Sequence, residues 1–297
     1  MDTSLWQIKK QMCDIGHRIW LRGYCAGNEG NHSVRIGDDR ILCTPSGLSK
    51  GFLESDDICV VDMAGTMAET NPRGRKRSSE VKLHLAIYEH QPEVKAVVHS
   101  HPPHATAFAV AKMPIPEGIH PEAEVFLGKV PIADYATPST DDLPASVLPL
   151  IGPQTNSVLM GNHGTVSFSG SLLDAYYKLE ILDSYCRLLL LCRQLGEVNT
   201  LTERQLIDLL QVKKDFGLSD DRLDCVEQGC IGQDNQPFLA QFDVRPMSAT
   251  CSCHGSEVEM RESEVSGTPP TVNEDRFESV VEVITDHVLD NMARRGR

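Results

Sequence analysis

The sequence predicts a mixed α/β fold. Short runs of strand-forming residues alternate with helix-period stretches over residues 1–240, and polar, glycine-containing turns separate them. In chain order, residues 5–22 read as a helix. Residues 33–36 and 40–44 read as two strands joined by the turn Gly37-Asp38-Asp39. A helix beginning near Ser79 carries Val81, Leu83, Leu85 and Ile87, and it stops before Pro92 because a residue preceding proline is pushed out of helical conformation. Residues 95–101, Lys-Ala-Val-Val-His-Ser-His, form a short buried strand. Residues 158–160 and 165–168 are strand-like and flank Gly161-Asn162-His163-Gly164, and residues 175–196 make a long helix that ends at a glycine.

Composition narrows the function. The 297 residues are 40% hydrophobic and 24% charged, enough for one large domain or two small ones. No run approaches the roughly 20 apolar residues of a membrane span, and the first residues lack an apolar leader, so a cytoplasmic protein without membrane contact is expected. A net charge of −14 repels a phosphate backbone and argues against nucleic acid as a partner. Any phosphate must be held by a local site. The ten cysteines are scattered, as expected of reduced thiols; Cys251-Ser-Cys253-His254 has a ligand-like spacing but lacks the second knuckle of a structural zinc site.

Texture changes after residue 240. Residues 241–273 are poor in large apolar side chains and rich in Ser, Glu and Pro, which is linker composition. In residues 274–297 apolar side chains return at Phe277, Val280, Val281, Ile284, Val288 and Met292, one face of an amphipathic helix. Thr271-Val-Asn-Glu274 reads as its capping box, and Arg294 and Arg295 suit its C-terminal dipole. Such a face needs a surface to bury against.

The chemistry is concentrated in histidines and turns. His99 and His101 are two apart in the predicted strand, so both imidazoles share a face and can share a metal ion. His163, between Asn162 and Gly164, is a third candidate. Three neutral nitrogen ligands leave a coordination position open, the catalytic form of a zinc site, although the same residues also fit plain polar strand ends. His104, His32 and His120 read as hydrogen-bonding or packing residues. Ser78-Ser79-Glu80 opens a helix, where hydroxyls and free N–H groups suit an anion as well as an ordinary cap. Gly30-Asn31-His32-Ser33 and Thr44-Pro45-Ser46-Gly47 are further donor-rich turns, and the three can converge on one phosphate without a basic patch.

In this order and spacing, Gly30-Asn31-x-Ser33, Thr44-Pro45-Ser46-Gly47, Asp57-Ile58 with Val61-Asp62, Ser78-Ser79-Glu80, Ala96-Val-Val-His99-x-His101 and His163-Gly164 resemble the class II aldolase/adducin family across residues 5–220. The resemblance implies a three-layer α/β/α fold around a central, mainly antiparallel sheet, and a homotetramer with active sites between subunits. It implies one Zn²⁺ per subunit on His99, His101 and His163. Phosphate would be held by Asn31, Ser46, Gly47, Ser78 and Ser79, with Gly30 shaping the loop, and Glu80 would serve as resting metal ligand and general base. The implied reaction is cleavage of a fuculose- or rhamnulose-phosphate-like deoxy-ketose to dihydroxyacetone phosphate and lactaldehyde. A methylthioribulose-phosphate dehydratase is an alternative of the same fold; sugar-phosphate 4-epimerases carry Asp where Glu80 stands, and adducin-like scaffolds lack the histidines.

Two departures from the fuculose-phosphate aldolases stand out. Those enzymes carry a tyrosine where this chain has Pro121-Glu122, and a C-terminal tyrosine where it has Phe216. A phenyl ring cannot donate a proton, so the aldehyde-side acid is unassigned, with Tyr135 as a candidate. The family's catalytic chain ends near residue 220. The added linker and terminal helix resemble the encapsulation peptides that carry enzymes into bacterial microcompartments, which implies a shell protein as partner and the compartment lumen as an alternative location.

Overall fold

The computed structural model describes residues 4–218, 220–224 and 235–240, all within one unit spanning residues 1–248. Helix α1 (Leu5–Leu21) starts at a capping box in which Ser4 and Gln7 satisfy each other's backbone N–H groups. Strands β1 (Asn31–Gly37) and β2 (Arg40–Cys43) form the expected hairpin, and β3 (Cys59–Val61) adds to its far edge. Helix α2 (Val81–His90) follows, with Glu80 at its N-cap position, and β4 (Ala96–Ser100) returns through the middle of the sheet. Three short helices, α3 (Pro103–Ala111), α4 (Pro121–Phe126) and α5 (Asp142–Val147), surround the two-residue strand β5 (Ile132–Ala133). The hairpin β6 (Ser157–Met160) and β7 (Gly164–Ser169) leads into the long helix α6 (Leu172–Leu195), which stops at a left-handed Gly196 as the sequence predicts. Helices α7 (Glu203–Asp215) and α8 (Gln236–Leu239) complete the described chain.

The strands form one sheet in the order β3-β2-β1-β4-β7-β6-β5, antiparallel at every pairing except β5 with β6. Alternation of side chains builds the layers. Ile41, Cys43, Val97, Val158 and Val166 pack with Val81, Leu85, Ile87 and Tyr88 of α2. Leu42, Val60, Ala96 and Val98 point the other way, onto Met12, Ile15 and Ile19 of α1 and Ala175 and Leu179 of α6. This is the three-layer α/β/α architecture implied by the resemblance. The strand predicted over 95–101 ends at Ser100, and the backbone N–H of His101, just beyond it, donates to Tyr24 O at 2.9 Å. The predicted linker 241–273, the helix 274–297 and the Cys251/Cys253 cluster lie outside the described residues. No helix among the described residues is long and apolar enough to cross a membrane.

Two polar anchors carry testable weight. Pro102, at the N-cap of α3, has no side-chain donor or acceptor, and the helix start is satisfied instead from α6. The buried Asp183 accepts from the backbone N–H of His104 and Ala105 at 2.9 and 3.0 Å, and its other oxygen is 2.9 Å from His104 Nδ1. His104 is therefore a hydrogen-bonding residue, as expected. An Asp183→Ala variant is expected to lose about 3 kcal/mol of stability, because three polar groups lose their partner at once; denaturant melts measure it.

The second anchor is a buried cluster behind α7. Asp220 accepts from Lys213 Nζ at 2.7 Å and from Arg222 Nε and Nη2 at 2.9 and 2.7 Å, while Arg222 Nη1 reaches Glu124 at 2.6 Å. Burial raises the Asp220 carboxyl, but Arg222 and Lys213 outweigh it and hold it at about 2. A folded pKa below the unfolded value of about 3.9 contributes stability that is present above that value and lost as pH falls toward 2. An Asp220→Asn variant is expected to be less stable at neutral pH and to show a flatter decline between about pH 4 and 2 in urea midpoints.

Candidate metal centre and anion site

The residues singled out from sequence meet at one end of the sheet. His99 lies opposite Asn31 in the β4–β1 register, with the parity that faces α2. Its Nδ1 is 2.8 Å from Thr165 O, a bond that fixes the ring and turns Nε2 toward Glu80. His163 is presented by the β6–β7 turn, whose Asn162 adopts φ 55°, a left-handed conformation that asparagine tolerates. Gly164 makes room for His101. A Cβ there would stand 2.3 Å from His101 Cδ2 and 2.7 Å from Ser100 O, so any other residue would displace the ring. The three ring centroids are 4.7 to 5.1 Å apart, and one nitrogen from each ring lies within 4.8 Å of the others.

Glu80 closes the triangle. Its Oε2 is 3.2 Å from His99 Nε2 and its Oε1 3.7 Å from His163 Nε2, while Asn31 Nδ2 donates to Oε2 at 2.9 Å. His101 Nε2 is buried without a hydrogen-bond partner, while His99 Nε2 and His101 Nδ1 face the carboxylates of Glu80 and Glu29. Buried lone pairs without donors are what a metal-binding set offers. Burial, and after it His99, push the His163 imidazole down to about 4 and lower that of His101 as well. Burial raises the Glu80 carboxyl, but contact with His99, the field of His163 and the Asn31 amide prevail and bring it to about 2. At neutral pH, His101 and His163 are neutral and Glu80 is anionic, the protonation states a divalent cation requires. The residues fit a metal ion.

The three donor-rich turns are joined to this centre by a continuous backbone network. Thr44 N–H donates to His32 O, Ser78 N–H to Thr44 O and Ser46 N–H to Lys76 O, at 3.1, 3.1 and 2.9 Å. Those amides are spent, but among the described residues nothing accepts from the N–H of Gly47 or Ser79. Ser78 Oγ accepts from Glu80 N–H, and Ser139 Oγ donates to Ser79 Oγ at 2.8 Å. Gly30 has φ +71°, and a Cβ there would stand 3.2 Å from His99 O, so its position requires glycine.

His32 and His120 make packing and hydrogen-bonding contacts. His32 is buried with Nε2 2.8 Å from Met12 O, and the His120 ring stacks on Tyr185 at 5.8 Å. Phe216 and Tyr135 are exposed, and the Tyr135 backbone packs beside Gly161, two residues from His163. Sequence reasoning missed Glu29, whose Oε2 is 3.0 Å from His101 Nδ1, and the buried chain His84 Nδ1, Ser33 Oγ and Tyr88 OH, linked at 2.7 Å each beneath the site. Glu29 is adjacent to the quoted Gly30 motif, and that adjacency was the available signal.

Residues 10–190 match the family described as the class II aldolase and adducin N-terminal domain. The chain is 36% identical over 179 residues to the L-fuculose phosphate aldolase of Methanococcus vannielii, covering 60% of this chain and 93% of that protein. It is 34% identical over 211 residues to the 3-oxo-tetronate 4-phosphate decarboxylase of Haemophilus influenzae, covering 70% and 97%. Among solved structures, YgbL from Klebsiella pneumoniae superposes with a TM-score of 0.64 at 31% identity, covering 70% of this chain and 99% of that one.

Proposed function

The chain belongs to the class II aldolase and adducin family, and from that premise we propose that it is a zinc-dependent lyase cleaving a fuculose- or rhamnulose-phosphate-like deoxy-ketose 1-phosphate to dihydroxyacetone phosphate and lactaldehyde. The observation that carries this reading is the carboxylate of Glu80 set against His99 and His163 while Asn31 holds one of its oxygens. In the proposal His99, His101 and His163 hold one Zn²⁺ per subunit, with Glu80 as the resting fourth ligand. When bound, the ion supplies Lewis-acid polarisation of the substrate's carbonyl and hydroxyl oxygens.

The chain's own residues do the rest. Asn31, Ser46, Gly47, Ser78 and Ser79 hold the phosphate, on a loop shaped by Gly30, and so fix which carbon lies beside Glu80. In the cleavage direction the C3–C4 bond breaks, the C4 hydroxyl gives its proton to solvent as it becomes the aldehyde, and Glu80, which takes up a proton from solvent, delivers it to C3, so one proton leaves and one returns. A lysine Schiff base is not required.

A second reading has a specific observation in its favour. Loss of CO₂ from a 3-oxo-tetronate 4-phosphate breaks the C1–C2 bond and, after protonation at C2, also gives dihydroxyacetone phosphate. Carbon dioxide leaves without a proton transfer on its side, so an exposed Phe216 in place of a tyrosine costs that reaction nothing. Assaying dihydroxyacetone phosphate from fuculose 1-phosphate, with and without chelator, tests the first reading. Product that disappears on chelation and returns with Zn²⁺ supports it, and activity that survives metal removal overturns it. Release of CO₂ from 3-oxo-tetronate 4-phosphate, with no turnover of the ketose, moves the assignment to the decarboxylase.

The proposal extends to assembly. We take residues 1–240 as the catalytic domain of a homotetramer, 241–273 as a linker and 274–297 as a helix that docks on a microcompartment shell protein. Residues 271–297 fused to a fluorescent protein are expected to gather on shells; diffuse fluorescence in shell-forming cells argues against it.

A further inference from the structure

Lys50 is 2% exposed, and among the described residues it makes no ion pair with a carboxylate. The other buried lysine, Lys213, is paired with Asp220 at 2.7 Å. A buried cation without a counter-ion is costly, and such residues are retained where an anion arrives. Lys50 Nζ donates to Asn28 O at 2.8 Å and to Leu48 O at 2.6 Å. Asn28 stands two residues before Gly30, and Leu48 directly follows Gly47, so one ammonium ties together two of the three turns assigned to phosphate. Two of its three donors are used in this way.

We propose that Lys50 is a positioning residue for the anion site: it fixes the 28–30 and 46–48 turns relative to each other and supplies, from behind them, the buried positive charge that an incoming phosphate neutralises. The inference rests on the phosphate reading of those turns. It gives a protein of net charge −14 a buried local positive charge beside those turns. The groups facing Lys50 are the Cys25 thiol, Glu29 and Glu80, with His32 on the neighbouring strand. Burial lowers the ammonium's pKa to about 8 against the opposing pull of Cys25, Glu29 and Glu80. Its charge is therefore lost at mildly alkaline pH.

The test uses the full chain and inorganic phosphate as the probe, with affinity measured by calorimetry and stability by thermal melting. In Lys50→Met, phosphate affinity is expected to fall about tenfold or more, with the loss in turnover carried by KM rather than kcat. In the wild type, affinity is expected to weaken between about pH 7.5 and 9.5, above the ion's own second ionisation, and in the variant to stay flat. If Lys50→Met does not fold, Lys50→Gln and the wild-type pH series carry the same comparison. Unchanged affinity in a folded variant, or a flat wild-type profile, overturns the role of Lys50 alone. Wild-type protein that binds no phosphate overturns the phosphate reading of the turns and this inference together.

Discussion

A Glu80→Gln variant is expected to lose on the order of 10³-fold in kcat while melting within a few degrees of the wild type. Glutamine has the same shape, and its carbonyl oxygen can still accept from Asn31 Nδ2, which donates to Glu80 at 2.9 Å. What it cannot do is carry a proton. Glu80 is well placed to lose and regain basicity: its contacts with His99 and the Asn31 amide favour the anionic form, so displacement from them by substrate would raise its proton affinity. Steady-state kinetics give the first readout, and exchange of the product's carbon-bound proton with deuterated solvent gives the second. Both should fall together in Glu80→Gln. A variant that keeps a tenth or more of the wild-type kcat would remove Glu80 from the proton-transfer step.

The residues that sequence alone could place are those whose positions follow from local periodicity. His99 was legible because strand alternation and the β-branched Val97-Val98 run put it on a defined face, and the observed register opposite Asn31 agrees. His163 was legible from its small neighbours, and the 2.3 Å approach of His101 to a Cβ at Gly164 shows why the glycine is there. By contrast, Glu29, Lys50 and Ser139 act through contacts between separate loops, which no periodicity encodes. The missed secondary structure has the same origin. Strand β5 is two residues long and exists only because β6 offers it a parallel edge, and α7 buries little more than Leu206 and Leu210 within a polar sequence. His101 shows a partial success: the strand reading placed it on the right face, but its position is set by a backbone bond to Tyr24 rather than by the sheet.

Removing the imidazole of His163 is expected to weaken metal binding by on the order of 10²-fold or more, at least the size typical for disturbing a ligand's outer partners. His163 is the ligand candidate least entangled with the fold. It sits in a turn, and its Nδ1 has no partner, whereas His99 is 1% exposed and tied to Thr165 O. A His163→Ala chain should therefore fold, keeping two imidazoles and Glu80, and a mixed set of this kind still attracts divalent ions. For that reason affinity is the informative quantity, measured by zinc competition against a chelator of known strength. His104→Ala is the control. That ring is bound to Asp183 and should leave metal affinity unchanged while lowering stability. Equal metal affinity in wild type and His163→Ala would mean that the three-histidine triangle is not the binding set. A matching loss in His104→Ala would mean that the effect travels through the packing of α3 and α6 rather than through the first coordination sphere.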